Sequence, residues 1–278
     1  LVRTLQRVEP PKDVMEKLIQ RFKNEKEPFG RAFLHRAIAT RFYPGAYLSE
    51  IESALSLFSP AEQGMSSIRN GLLDEELFYD TLPELSLAAR LKKKGYAVLL
   101  QPPVGQHKLD MKVTISKDLL IEVYSPHEDI RLKYVRKAHG MDNTAKKAVL
   151  KKLQGQIADA ANQKLPIVLV IDQSNSRDVT EIEIADILFG TFTWNLVFDN
   201  QKHEVVKEYA SRKQDSISDI HPAGKAVSAI ILLKRDMDDS DLKIKLYGKI
   251  FVNPHASIPL DQPTIQALEA AIFAVSLS

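Results

Sequence analysis

Apolar residues follow a helical period through roughly the first third of the chain, then change to alternation by two near its middle. Val14, Leu18, Ile19 and Phe22 begin a helical pattern over 11–57, interrupted at Pro44-Gly45 and resumed over 48–58. Ser59-Pro60-Ala61-Glu62 has the composition of a helix start, because Ser accepts from orphan amides and Pro suits the first helical position. Helix is then expected up to Lys94, with Leu77, Leu82, Leu85, Ala88, Ala89 and Leu91 as its apolar stripe and Gly95 as a left-handed end. A strand follows over 96–101, then two more over 108–113 and 119–124. Val149, Leu153, Ile157 and Ala160 predict a helix over 144–163, and 167–171 is an unbroken apolar strand.

That order is helix, three strands, helix, strand. Beyond Asp172 the pattern predicts a helix over 179–188, a strand over 192–198 and a polar loop over 211–224. Two strands, 226–233 and 244–252, are joined by an acidic turn over 236–241, and Pro263 opens a last helix. The expectation is an α/β fold in which helices flank a central mixed sheet. A helical N-terminal extension over 1–70 precedes an α/β domain over 71–278.

The pair of strands over 108–113 and 119–124 carries the candidate chemistry. Pairing them around Ser116, Lys117 and Asp118 gathers Met111, Val113, Ile115, Leu119, Ile121 and Val123 on one face. The other face then holds Asp110 opposite Tyr124 and Lys112 opposite Glu122. A shift of one residue would mix charge into the core, so the apolar pattern selects which face each carboxylate takes. Carboxylates sharing a face suit a hard divalent cation such as Mg²⁺ or Mn²⁺, which takes carboxylate, water and phosphate oxygens.

Composition narrows the alternatives. The chain has 278 residues and 44% hydrophobic content, enough to bury a sizeable core. It has no cysteine, which excludes disulfides, thiolate metal sites and a thiol nucleophile. Its longest apolar run, 226–233 interrupted by Ser228, falls far short of the roughly 18–20 residues that cross a bilayer. A cytoplasmic protein without membrane attachment is expected. The seven histidines show no paired metal spacing, and neither a phosphate loop nor a nucleophile elbow is present.

Glu84 on a helix, Asp110 before a strand and Glu122 on the next strand, followed by a basic helix and a buried strand, resemble the PD-(D/E)XK nuclease superfamily. The resemblance spans roughly residues 77–172 and implies a restriction-endonuclease-like αβββαβ core. It implies Mg²⁺-dependent phosphodiester cleavage of DNA or RNA, with Asp110 and Glu122 as metal ligands and Glu84 as the helix glutamate. Where the family has lysine, this chain has Tyr124, and Leu109 stands where proline is frequent. Lys112 is the leading replacement cation, with Lys146 or Lys147 as a fallback.

Between residues 131 and 152 the chain carries Arg131, Lys133, Arg136, Lys137, Lys146, Lys147, Lys151 and Lys152 against Asp142 alone, in a protein of net charge +2. Such a cluster suits a phosphate backbone, and it equally suits a solvated helix face. Lys112 with Glu122 also fits an ordinary cross-strand ion pair, and Glu84 a solvated helix position. His127, Glu128 and Asp129 read as a polar turn. Two function classes follow: a metal-dependent nuclease, or a catalytically inactive nuclease-like module for nucleic-acid binding or assembly.

Overall fold

A computed structural model describes residues 16–17, 44–74, 77–126, 144–175, 179–199, 204–238, 243–275 and 277. Its centre is a six-stranded mixed sheet built from β1 (Ala97–Leu100), β4 (Met111–Thr114), β5 (Asp118–Tyr124), β6 (Ile167–Asp172), β9 (Val227–Asp238) and β10 (Lys243–Val252). The spatial order is β1-β4-β5-β6-β9-β10. β5, β6 and β9 run parallel, while β1 with β4, β4 with β5 and β9 with β10 are antiparallel. All six residues of β6 are buried, as its unbroken apolar sequence requires of a central strand covered on both faces.

Helices α1 (Pro44–Ser56), α2 (Met65–Leu73), α3 (Phe78–Lys93) and α8 (Gln262–Ile272) cover one face, packing Leu85 and Leu268 with Val113, Ile121, Val170 and Ile231. On the other face, α4 (Thr144–Gln154), α5 (Gln156–Ala161) and α6 (Glu181–Phe189) pack Leu153, Ile157 and Ile187 with Leu120, Leu169 and Ile230. Leu48, Ile51, Ile68 and Leu72 belong to the first of these cores, so α1 and α2 share it with the sheet. Two short ribbons stand apart from the main sheet, β2 (Pro103–Val104) with β3 (His107–Lys108) and β7 (Phe192–Asp199) with β8 (Glu204–Arg212). No helix among the described residues is long and apolar enough to cross a membrane.

Several local expectations are corrected. Ser59 to Glu62 close a turn, the Ser59 N–H donating to Glu62 Oε1 at 2.7 Å, and α2 begins only at Met65. The reason is Gly64, at φ 81°, where a Cβ would sit 2.6 Å from Leu100 Cβ; β1 passes too close for the helix to start earlier. Leu77, expected on the α3 stripe, lies outside the helix and is 51% exposed. α1 already begins at Pro44, four residues before the expected resumption at Leu48, in keeping with the preset φ of proline. Gly95 does end α3 at φ 96°, with Gly95 N–H donating to Lys92 O and Tyr96 N–H to Leu91 O.

The helix expected over 144–163 is divided at Gly155, which has φ −119° and ψ −104°. The polar stretch 211–224 contains the end of β8, the short α7 (Ile217–Ile220) capped by Ser216 and a 3₁₀ turn over Pro222–Ala226. β9 runs on to Asp238, so Asp236 lies in a strand and not in the turn.

Buried charges tie the layers together. Arg235 on β9 meets Asp172 at the end of β6 at 2.9 Å, and the Arg235 N–H donates to Ser174 Oγ, whose own N–H donates to Asp172 Oδ1. Arg90 on α3 reaches Glu50 on α1 at 3.3 Å and the Ile244 carbonyl on β10 at 3.2 Å. Removing one member of a buried pair strands the other charge. Asp172→Ala is expected to cost roughly 3–5 kcal/mol in urea unfolding; a loss below about 1 kcal/mol would show that this pair does not hold β6 to β9.

Candidate functional site

Asp110 and Glu122 reach one site because of the hairpin register, although that register is not the expected one. Met111 pairs with Ile121, Lys112 with Leu120 and Thr114 with Asp118. The expected pairs, Lys112 with Glu122 and Asp110 with Tyr124, are two residues out. Asp118 causes the shift: it accepts from Thr114 Oγ1 at 2.7 Å and from Lys112 Nζ at 2.6 Å, which draws it out of the turn and into β5. An even shift keeps every side chain on its face, so the carboxylate face survives while its partners change. Lys112 consequently pairs with Asp118 and does not lie opposite Glu122.

Asp110 sits one residue before β4, where its Oδ2 accepts the Val123 N–H at 2.6 Å and so lies against β5. Glu122 is fully buried in β5. Its Oε1 receives the ammonium of Lys152 from the last turn of α4, and Lys152 Nζ also donates to Gln156 Oε1 at 3.2 Å. Glu84 on α3 is 7% exposed, not solvated. Among the described residues, Glu84 Oε1 and Glu122 Oε2 are buried without a hydrogen-bond partner.

The electrostatics follow from crowding anions where water is excluded. Burial, with smaller contributions from Asp110 and Glu122, pushes the Glu84 carboxyl well above its usual range. Burial and the neighbouring Asp110 raise Glu122 to about 8 against the pull of Lys152, and burial raises Asp110 to about 6. The Lys152 ammonium is strengthened by Glu122 and Asp110 despite its own desolvation. Tyr124 is half-buried, and its hydroxyl is shifted upward by burial and by the charge of Asp80.

Two contributors were missed in the sequence. Asp80 lies one helical turn before Glu84, and its charge acts on Glu84, Asp110 and Lys152; the spacing i, i+4 on α3 was the available signal. Lys152 was grouped with the basic run, yet it stands three residues after the buried Val149, on the shoulder of the apolar stripe and turned toward the sheet.

The rest of the basic run is divided. Arg131, Lys133, Arg136 and Lys137, with His127, Glu128 and Asp129, lie outside the described residues. Lys146 reaches Asp215 at 3.2 Å with 17% of its side chain exposed. Asp215, held down to about 2 chiefly by the Thr191 N–H, joins α4 to the base of the β7–β8 ribbon. Lys147 is on α4, and Lys151 is exposed.

The donors are all carboxylate oxygens, two of them buried and unsatisfied, which is the chemistry a hard divalent cation requires. Among the described residues no three His, Cys, Asp or Glu side chains group tightly enough to hold a metal ion. The site therefore fits an ion held by one or two carboxylates and completed by water and phosphate oxygens, and does not fit an all-protein cage. Asp110 and Glu122 are the carboxylates that could hold such an ion. Comparison with known proteins finds no matching family model, no matching curated protein and no matching solved structure.

The raised carboxyls fix the sign of a pH effect. Glu122 keeps its proton in the fold to about 8 against an ordinary 4.5, so its contribution to stability is complete below pH 4.5 and is lost as pH rises through about 8. Asp110 does the same between 3.8 and about 6. Glu122→Gln, which cannot ionise, should lose less stability than wild type as the pH is raised from about 5 to about 9. Parallel melting curves for the two proteins would contradict the burial of that charge.

Proposed function

We propose that this chain is a metal-dependent phosphodiesterase acting on DNA or RNA, with a restriction-endonuclease-like core. The observation that supports it best is the meeting of Glu84 from α3, Asp110 before β4, Glu122 from β5 and Lys152 from α4, on a frame in which α3, the main-sheet strands β1, β4 and β5, α4 and β6 follow in that order. Asp110 and Glu122 would hold Mg²⁺ or Mn²⁺. When bound, such an ion lowers the pKa of a coordinated water and offsets charge on a phosphodiester.

The chain's own groups supply the remainder. Lys152 takes the part that Lys112 was expected to play, placing an ammonium beside the scissile phosphate from a helix and not from the strand. Tyr124, whose hydroxyl keeps its proton at neutral pH, can donate a hydrogen bond but brings no charge. Asp80 adds negative potential that favours a cation at the centre of the cluster. The exposed Lys151 serves phosphate further along the strand.

A second reading keeps the fold without turnover. Lys152 already neutralises Glu122, and tyrosine stands at the family's lysine position, both of which suit a module that binds nucleic acid and leaves it intact.

Cleavage of labelled DNA and RNA with Mg²⁺ or Mn²⁺ separates the two. Asp110→Ala and Glu122→Ala should each lower the rate by about a hundredfold or more, Lys152→Met by at least about tenfold, and Lys112→Met by less than about threefold. If wild type and Tyr124→Lys both stay folded and leave nucleic acid uncut while binding it with a steep salt dependence, the binding reading replaces the nuclease one.

A further inference from the structure

α5 is strapped to the small β2–β3 ribbon by side chains from one of its faces. Gln156 Nε2 donates to the Lys108 carbonyl at 2.8 Å, Asp159 Oδ2 accepts from the Gln106 N–H at 3.0 Å and lies 2.8 Å from His107 Nδ1, and Gln163 Nε2, just past the helix, donates to the Pro103 carbonyl at 3.1 Å. Positions 156, 159 and 163 fall on one side at helical spacing, so the contacts of these three side chains form a single seam. The ribbon leads directly into Leu109 and Asp110.

Only one of these residues also reaches the carboxylate cluster. The Gln156 amide is fixed by its Nε2 on the Lys108 carbonyl, and its Oε1 accepts from the Lys152 ammonium at 3.2 Å. Lys152 lies in the last turn of α4 and Gln156 opens α5, with the irregular backbone of Gly155 between them, so the contact spans a helix break and depends on side chains. A lysine side chain has four rotatable bonds and a strongly hydrated head, and one acceptor does not fix its direction.

We propose that Gln156 is the positioning residue that holds the Lys152 ammonium over the carboxylate cluster, a role that rests on the phosphodiesterase reading above. Glu122 Oε1 and Gln156 Oε1 accept two of the three ammonium N–H groups, which directs the third toward a further acceptor; a phosphate oxygen is the matching chemistry. When a divalent ion shares Glu122, Gln156 keeps the ammonium in place. The ribbon is the anchor for that amide, and the same ribbon sets the approach of the chain to Asp110.

The test uses the full chain with Gln156→Met, which keeps length and packing, and Gln156→Glu, which keeps an acceptor for Lys152 but loses the donor to Lys108 O. With DNA and RNA in Mn²⁺, Gln156→Met should lower kcat on the order of tenfold at a KM within about twofold of wild type, while Gln156→Glu should retain most of kcat. In chain carrying ¹⁵N-lysine, the ammonium resonance identified by its loss in Lys152→Met should broaden in Gln156→Met and persist in Gln156→Glu. Equal losses in both variants would reduce Gln156 to a strap for the ribbon and overturn the proposal, as would an unchanged resonance in Gln156→Met. If wild type does not cleave at all, the phosphodiesterase reading fails, and the resonance alone decides for or against Gln156.

Discussion

The rest of this structure is arranged around one buried acid, the Glu122 carboxyl in the middle of β5. A glutamate with no solvent contact is tolerated only when a cation or a proton meets it, and leaving such a charge unpaired costs roughly 3–5 kcal/mol. Lys152 supplies the cation, and that demand explains the geometry on its side of the sheet. The last turn of α4 brings Lys152 over β5, and α5 begins at Gln156, which bonds the ribbon. Gly155 makes the interruption.

One ammonium does not balance Asp80, Glu84, Asp110 and Glu122. The excess is visible in the carboxyls themselves, whose proton affinities rise with burial and with one another's charge. Such a cluster is poised between holding protons and holding a metal ion, and its acid groups release protons in the range where a divalent ion competes for them. A purely structural ion pair would need no such surplus. This is what motivates the proposed phosphodiesterase reading, in which the charge missing at Tyr124 on β5 would be supplied by Lys152 on α4.

The periods of the sequence disclosed the mixed α/β sheet, and its alternation disclosed the face that Asp110 and Glu122 share. The unbroken run at 167–171, the alternation around 111–123 and the Gly95 helix end correspond to β6, the β4–β5 hairpin and the end of α3, since each is governed by local burial or backbone preference. The side on which Asp110 and Glu122 lie was legible for the same reason. The exact register was not, because it turns on Asp118 bonding to Thr114 and Lys112, and two registers an even number of residues apart bury the same residues. The place of Lys152 beside Val149 on the apolar stripe turns it toward the sheet, but only the packing of α4 on β5 selects Glu122 as its partner. The β8 strand was missed because its residues mix polar and apolar without a clear period, and the break at Gly155 because the apolar spacing of Val149, Leu153, Ile157 and Ala160 runs straight across it.

The most direct test of a cation site at this cluster is anomalous diffraction from crystals equilibrated with Mn²⁺ above pH 8, where Asp110 and Glu122 have given up their protons. The account predicts a Mn²⁺ peak coordinated by both carboxylates, with the Lys152 ammonium still bonded to Gln156. Manganese found only on exposed carboxylates, with Glu122 and Lys152 undisturbed, would contradict it and leave the buried pair as a structural element alone.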